Sequence, residues 1–319
     1  MYILEKIRQF AEDRDLLYGV CDLNGICDAD GVCGDGSIKG LERILSTPFV
    51  SKNPRKRLDP TAHLSDAKSI VVIGLPYARD SHVRSVKGDR PYGLITRMAL
   101  GGDYHSTLKR ILSELAQELT TPEFHFTIKV DSGGLVERSW AVKAGLGFVG
   151  KNCMLISQAQ GSFFNIGLLI TNLELGETNA PPRQVAKTCG DCDLCIKACP
   201  GQAIAKGGFA IDYERCVSYI TQKPGELTEF QKKAMGRSIF GCDICQNVCP
   251  YNAKVMNRRN DLTGDLSALK STEIDLYTIL NMSELEFAVT LKHTCIGWKG
   301  LDILQRNARI LLKKNIFHE

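Results

Sequence analysis

The chain has 319 residues, 44% of them hydrophobic and 24% charged, with a formal net charge of +4. This is the balance of an ordinary soluble globular protein with enough apolar side chain for two cores, and it excludes a low-complexity chain. The charge surplus is too small to name a partner by itself.

The N-terminal stretch MYILEKIRQFAEDRDLL spreads Glu, Lys, Arg and Asp among its apolar residues and predicts an amphipathic helix. It matches neither a signal peptide nor a twin-arginine signal, and no apolar run approaches bilayer length. The expectation is a cytoplasmic protein without membrane contact, acting as a monomer. Next, CDLNGICDADGVCGDG repeats cysteine at C-x₅-C-x₅-C (Cys21, Cys27, Cys33), which fits no metal template and reads as a mobile loop. SIVVIGLPY at 69–77 predicts a buried strand, residues 103–119 a helix, and FHFTIKV at 124–130 an alternating strand. After the turn DSGG comes a helix VERSWAVKAG stopped by Gly145. CMLIS and FFNIGLLITNLEL then predict two strands joined by QAQGS.

The predicted fold class is α+β, in three consecutive parts. An N-terminal domain with a mostly antiparallel or mixed sheet covers 1–178, a ferredoxin-like cysteine module 179–260, and a short helical segment 261–319. ETNAPPRQVAKT at 177–188 reads as the linker between the first two.

Thirteen cysteines in a reducing compartment point to metal or redox chemistry rather than disulfides. C-x₂-C-x₂-C-x₃-C-P at 189–200 is a complete ferredoxin-type motif, with thiols at Cys189, Cys192, Cys195 and Cys199. The second, GCDICQNVCP at 241–250, is one thiol short. In two-cluster ferredoxins the fourth cysteine of each run ligates the other cluster. Cluster one is then Cys189, Cys192, Cys195 and Cys249, and cluster two holds Cys199, Cys242 and Cys245. Cys216 is the remaining cysteine of the region and completes cluster two, set apart by an inserted helical segment. Eight thiols could also make two Cys₄ zinc sites, but zinc sites pair short knuckles and do not use this run. Cys153 and Cys295 read as packing residues.

About 180 residues of α+β domain ahead of the clusters imply an enzyme rather than a bare ferredoxin-like electron carrier. A run of motifs carries a family resemblance: R-L-D-P from Arg57, G-G-D-Y-H ending at His105, D-S at Asp131, E-R at Glu137, and A-G-L-G-F-V-G-K-N ending at Asn152. G-S-F-F from Gly161, C-V-S-Y-I-T from Cys216 and A-M-G-R-S-I-F-G-C-D-I-C-Q-N-V-C-P-Y-N around Cys242 complete it. In this order, over about 55–251, the chain resembles the epoxyqueuosine reductases.

The resemblance implies reduction of the epoxide of epoxyqueuosine, at the wobble position of tRNA, to the alkene of queuosine. It implies two 4Fe–4S clusters, base-off cobalamin (cob(II)alamin) over the N-terminal domain, and a low-potential electron donor. Asp131 becomes the acid that protonates the departing oxygen, whereas by itself an Asp opening DSGG reads as a helix cap. Cobalamin contacts carried over are Arg57, Arg97, Asn152, Ser218 and Asp243. DSHVRS at 80–85 nearly reproduces the D-x-H-x-x-G motif that gives histidine to cobalt elsewhere, but Ser85 replaces its glycine and His82 is not taken as a ligand. A reductive dehalogenase-like reaction pairs the same cofactors and is the alternative. Many members continue into a helical-repeat domain, so the anticodon arm is expected to meet basic residues here. SKNPRKR at 51–57, KVMNRRN at 254–260 and ARILLKKNIF near the end are the candidates, each readable also as a solvated face.

Overall fold

The computed structural model describes residues 2–24, 26–27, 33–34, 48–77, 90–100, 102–131, 134–176, 189–253, 269 and 271–314. The linker at 177–188, His82 and the basic run at 254–260 lie outside them, as do the side chains of Cys27 and Cys33.

Helix α1 (Tyr2–Glu12) leads into strand β1 (Leu17–Asp22), followed by the paired short strands β2 (Ile26–Cys27) and β3 (Cys33–Gly34). Helix α2 (Pro54–Leu58) precedes β4 (Ser69–Pro76), β5 (Tyr92–Ile95) and helix α3 (Tyr104–Leu119). Then come β6 (Phe126–Val130), α4 (Glu137–Lys143), β7 (Phe148–Val149), β8 (Leu155–Ile156) and β9 (Phe164–Thr171). The cysteine-rich part contributes α5 (Leu194–Ala198), α6 (Val217–Ile220), α7 (Glu229–Ala234), β10 (Ser238–Phe240), α8 (Ile244–Asn247) and α9 (Pro250–Ala253). Strand β11 (Glu273–Asp275) and helices α10 (Leu276–Asn281), α11 (Glu284–Thr290) and α12 (Leu301–Leu312) end it.

Two compact units result: Met1–Pro76 with His105–Cys192, and Tyr77–Tyr104 with Asp193–Glu319. In the first, the sheet order is β1-β4-β9-β6 and every pairing is antiparallel. All eight residues of β4 are buried, as a strand covered on both faces requires. On one face Ile70, Val72, Leu168 and Ile170 pack with Trp140 and Val142 of α4. On the other, Leu108 and Leu112 of α3 press against the bare backbone of Gly167 on β9.

In the second unit β5 is the middle strand, parallel to β10 and antiparallel to β11. Ile95, Ile239, Leu276, Leu304 and Ala308 share one core with Val217 and Ile220 beside Cys216. Asn307 of α12 is fully buried and donates to the carbonyls of Thr221 and Ile239, both at 2.8 Å. The C-terminal helices are therefore built into the same unit as the cysteine module.

These units cut the chain differently from the three consecutive segments read from the sequence. Residues 77–104 join the second unit because β5 pairs with strands about 145 and 180 positions away, a partnership local patterning does not encode. For the same reason STEID, read as helix, supplies strand β11. Strand β8 pairs with β7, not with β9. Cys21, read as a loop residue, lies fully buried in β1 and its thiol faces the Trp140 carbonyl. Cys153, read as a core strand residue, is half-buried in a turn at φ 60°. Cys295 packs in the core as read. No helix among the described residues is long and apolar enough to cross a membrane.

Candidate cluster and catalytic sites

Within the second unit the chain after Cys199 doubles back on itself. Ala205 and Asp212 bond Ala210 and Ala203 across the fold (2.9 and 2.8 Å), and Ile204 bridges Ile211. This return brings Arg215 and Cys216 alongside Gly201. The approach is so close that a Cβ at Gly201 would stand 1.8 Å from the Arg215 carbonyl oxygen, so only glycine fits. Gly241, at φ 70°, makes a similar approach to Thr96 just before Cys242.

The four thiols assigned to cluster two are thereby gathered. Cys216 feels Cys199, Cys242 feels Cys216 and Cys199, and Cys245 feels Cys242, Cys216, Cys195 and Cys199. Burial pushes the thiols of Cys216, Cys242 and Cys245 up, Cys242 to about 12, and neighbouring sulfurs push the same way. Backbone donors aim at three of the four sulfurs. The Ala203 N–H lies 3.2 Å from the Cys199 sulfur, Ser218 and Tyr219 donate to Cys216, and Ile244 donates to Cys242. Buried sulfurs that resist ionising together, yet carry N–H donors, fit ligands of a cationic iron core.

The thiols assigned to cluster one are divided between the units. Cys189 and Cys192 fall in the first, and Cys195 on α5 with the buried Cys249 in the second. In the first unit, Lys151 fastens the loop by donating from Nζ to the carbonyls of Gly190 (2.7 Å) and Cys192 (3.0 Å). In the second, α5 packs on α8.

The second unit also contains Arg97, Ser218 and Asp243. The buried Asp243 carboxylate accepts the Thr96 hydroxyl (2.5 Å) and the Arg97 backbone N–H (2.7 Å). Burial raises its pKa, and those donors with the Arg97 charge pull it back. The Arg97 side chain donates to Asn247 at 2.8 Å. Ser218 lies in the first turn of α6 and takes the Gln222 amide on its carbonyl at 2.8 Å.

The first unit contains Arg57, Asp131 and Asn152. Arg57 sits on α2, capped by Asn53, and belongs to no solvated run: it is 6% exposed, and Nη1 donates to the carbonyls of Gly134 and Leu135, both at 3.0 Å. Asn152 is buried in the turn after Lys151 and accepts the Met154 N–H at 3.2 Å. Asp131 follows the end of β6 at φ 49°. It is not a helix cap, since that place before α4 belongs to Val136. Its side chain is 55% exposed, and Oδ2 lies 3.2 Å from His105 Nε2. Glu137, with no role assigned from the sequence, places its carboxyl behind Asp131; burial first and the Asp131 charge second push it well above the ordinary glutamate range.

His105, Glu137, Thr96 and Lys151 are the residues the sequence reading passed over. Three of them stand inside the motifs G-G-D-Y-H, E-R and G-K-N, which was the available signal. Thr96 stands in none.

Comparison with known proteins identifies the families that the chain matches. Residues 188–252 match the family described as "4Fe-4S double cluster binding domain", and residues 57–132 match "Epoxyqueuosine reductase QueG, DUF1730". An epoxyqueuosine reductase of Lactococcus garvieae is 37% identical over 262 residues, 81% of this chain and 72% of that protein. One from Staphylococcus aureus is 33% identical over 83% and 68%. Among solved structures, the epoxyqueuosine reductase of Streptococcus thermophilus superposes with a TM-score of 0.84 at 33% identity, covering 98% of this chain and 81% of that one. An epoxyqueuosine reductase with an epoxyqueuosine-modified tRNA-Tyr stem loop gives 0.83 at 27% identity, over 97% and 81%.

Proposed function

We propose that this chain, which belongs to the epoxyqueuosine reductase family, reduces epoxyqueuosine in tRNA to queuosine with electrons carried by two 4Fe–4S clusters. The observation that carries it is the gathering of Cys199, Cys216, Cys242 and Cys245, the first three under backbone N–H donors, inside the segment that matches the double-cluster family.

Turning an epoxide into an alkene and water consumes two electrons and two protons. Cysteine thiolates hold clusters that pass electrons singly, fed by a low-potential donor. Cobalamin, when bound, supplies the cobalt at which the C–O bond is reduced. Arg57, Arg97, Asn152, Ser218 and Asp243 would hold it: apart from the half-buried Ser218 they are buried polar side chains suited to the amide rim of a corrin.

Asp131 delivers the proton to the departing oxygen. It stands at a strand end with its side chain half-exposed and His105 against Oδ2, so the carboxyl can reach a bound base. In an epoxyqueuosine reductase structure from Bacillus subtilis, a catalytic loop named for an aspartate is swung out of the active site. The tRNA base would enter unstacked, with Lys and Arg on phosphates setting the register.

The test uses anaerobically purified, cobalamin-loaded protein with epoxyqueuosine-containing tRNA and a strong reductant, followed by nucleoside analysis. Queuosine should replace epoxyqueuosine. Cluster-replete, cobalamin-loaded protein that leaves epoxyqueuosine untouched would overturn the reading.

A further inference from the structure

The chain leaves β6 at Val130 and turns through Asp131 in the left-handed region, at φ 49°. A non-glycine residue stays there only where its surroundings hold it. Two side chains do so. His105 meets the carboxylate with Nε2 3.2 Å from Oδ2. On the main-chain side, the Glu137 carboxyl accepts the Asp131 backbone N–H.

Glu137 begins α4 behind Val136, which offers no side-chain cap. The carbonyls of Gly134 and Leu135 are taken by Arg57, and the Val136 N–H by the Arg57 carbonyl at 3.0 Å, so the base of the turn is anchored before Glu137 is reached. The residue is half-buried, yet Oε1 is shielded from solvent and has no hydrogen-bond partner among the described residues. A shielded carboxyl with one oxygen unmatched destabilises the fold unless it stays neutral. Packing alone gives no reason for an acid at this position.

We propose that Glu137 is a positioning residue for Asp131: its carboxyl grips the Asp131 amide from behind and so aims the acid, and by remaining neutral it adds no second negative charge as Asp131 gives up its proton. This rests on Asp131 being the proton donor. The charged groups facing Glu137 are Asp131, Arg138 and Arg57; the first favours its protonated form and the two arginines oppose it. As pH rises and Glu137 ionises, a carboxylate behind Asp131 makes that acid hold its proton more tightly. Turnover then falls on the alkaline side.

Glu137→Ala and Glu137→Gln separate grip from charge, because the Gln carbonyl still accepts the amide N–H. The readouts are hydrogen exchange of the peptide spanning Asp131, and kcat and KM on epoxyqueuosine tRNA across pH, with iron content and cobalamin binding as controls. E137A should speed exchange about tenfold and lower kcat about 100-fold, the scale of an ångström misplacement, with KM within about twofold. E137Q should keep slow exchange, recover most of kcat and lose the alkaline limb. Unchanged exchange and kcat in E137A overturn the proposal. Should E137A fail to fold, E137Q decides: loss of kcat as large as in D131N, or an alkaline limb retained, also overturns it. Wild-type kcat in D131N would remove the Asp131 reading instead, while exchange still reports whether Glu137 holds the turn.

Discussion

A methyl group placed at Gly201 would sit 1.8 Å from the Arg215 carbonyl oxygen, where real Cβ contacts do not fall below 3.0 Å. Gly201→Ala must therefore part the two segments by more than an ångström. It also strains the bond from Arg215 Nε to the Gly201 carbonyl, 2.9 Å long. Overpacking of this kind costs about 1–3 kcal/mol, a fraction of the roughly 5–15 kcal/mol that holds a domain together. The variant should fold. Cluster geometry is less forgiving, since ligand distances tolerate only about 0.2 Å. Because Cys199 follows one segment and Cys216 the other, cluster two should not form while cluster one does. Iron analysis and low-temperature electron paramagnetic resonance of the anaerobic protein read this directly: about four irons per chain against about eight in the wild type. An intact second-cluster signal with about eight irons would refute the inference that this backbone approach assembles the site.

Cys216→Ala should give the same iron loss without disturbing the backbone, and loss of both clusters or of neither would contradict the ligand assignment. Asp131→Asn should retain clusters and cobalamin and lose about 10²–10⁴ in kcat; wild-type turnover would exclude it as the acid. Thr96→Val preserves shape but withdraws the hydroxyl at 2.5 Å from Asp243. That should destabilise the second unit by about 2 kcal/mol, seen as a fall of roughly 4–8 °C in thermal unfolding, and an unshifted transition would show that the bond contributes nothing. Burial, and then the Asp131 charge, raise the Glu137 carboxyl well above the ordinary glutamate range, so it stabilises the fold fully below that range and progressively less as pH rises through its folded pKa. Glu137→Gln lacks this titration. Its unfolding temperature relative to wild type should rise as pH climbs above the ordinary glutamate range, and a constant difference would refute the direction of the shift.

Much of the cluster chemistry was legible without a structure. Thiolate spacing of two and three residues is a local property, and the crossover of the fourth cysteine follows from that spacing. The crossover left Cys216 as the one available thiol, and the structure gathers it with Cys199, Cys242 and Cys245. Helix α3 and the buried strand β4 were similarly visible, because apolar periodicity over many residues marks which faces are covered. Less local features were not legible. Cys21 looked like part of a Gly/Asp-rich loop, although β1 extends through it and its burial is set by β4 alongside. Arg57 sat in a run of basic residues, and nothing in that run says that one of them turns inward to hold the carbonyls of Gly134 and Leu135.

From the residues alone came the donor atoms and their order along the chain: the cysteine runs, the basic stretches, the helical and strand periodicities, and the motifs around Asp131 and Asn152. Only tertiary structure decided who meets whom. It returned Cys216 to Cys199 across an approach that glycine alone permits, and carried residues 77–104 into the sheet of the second unit. It also placed one carboxyl behind another at Asp131 and Glu137. The physical reason is that spacing encodes neighbours within a turn or a strand, whereas proton affinity, shielding and backbone approach depend on groups brought together from distant parts of the chain.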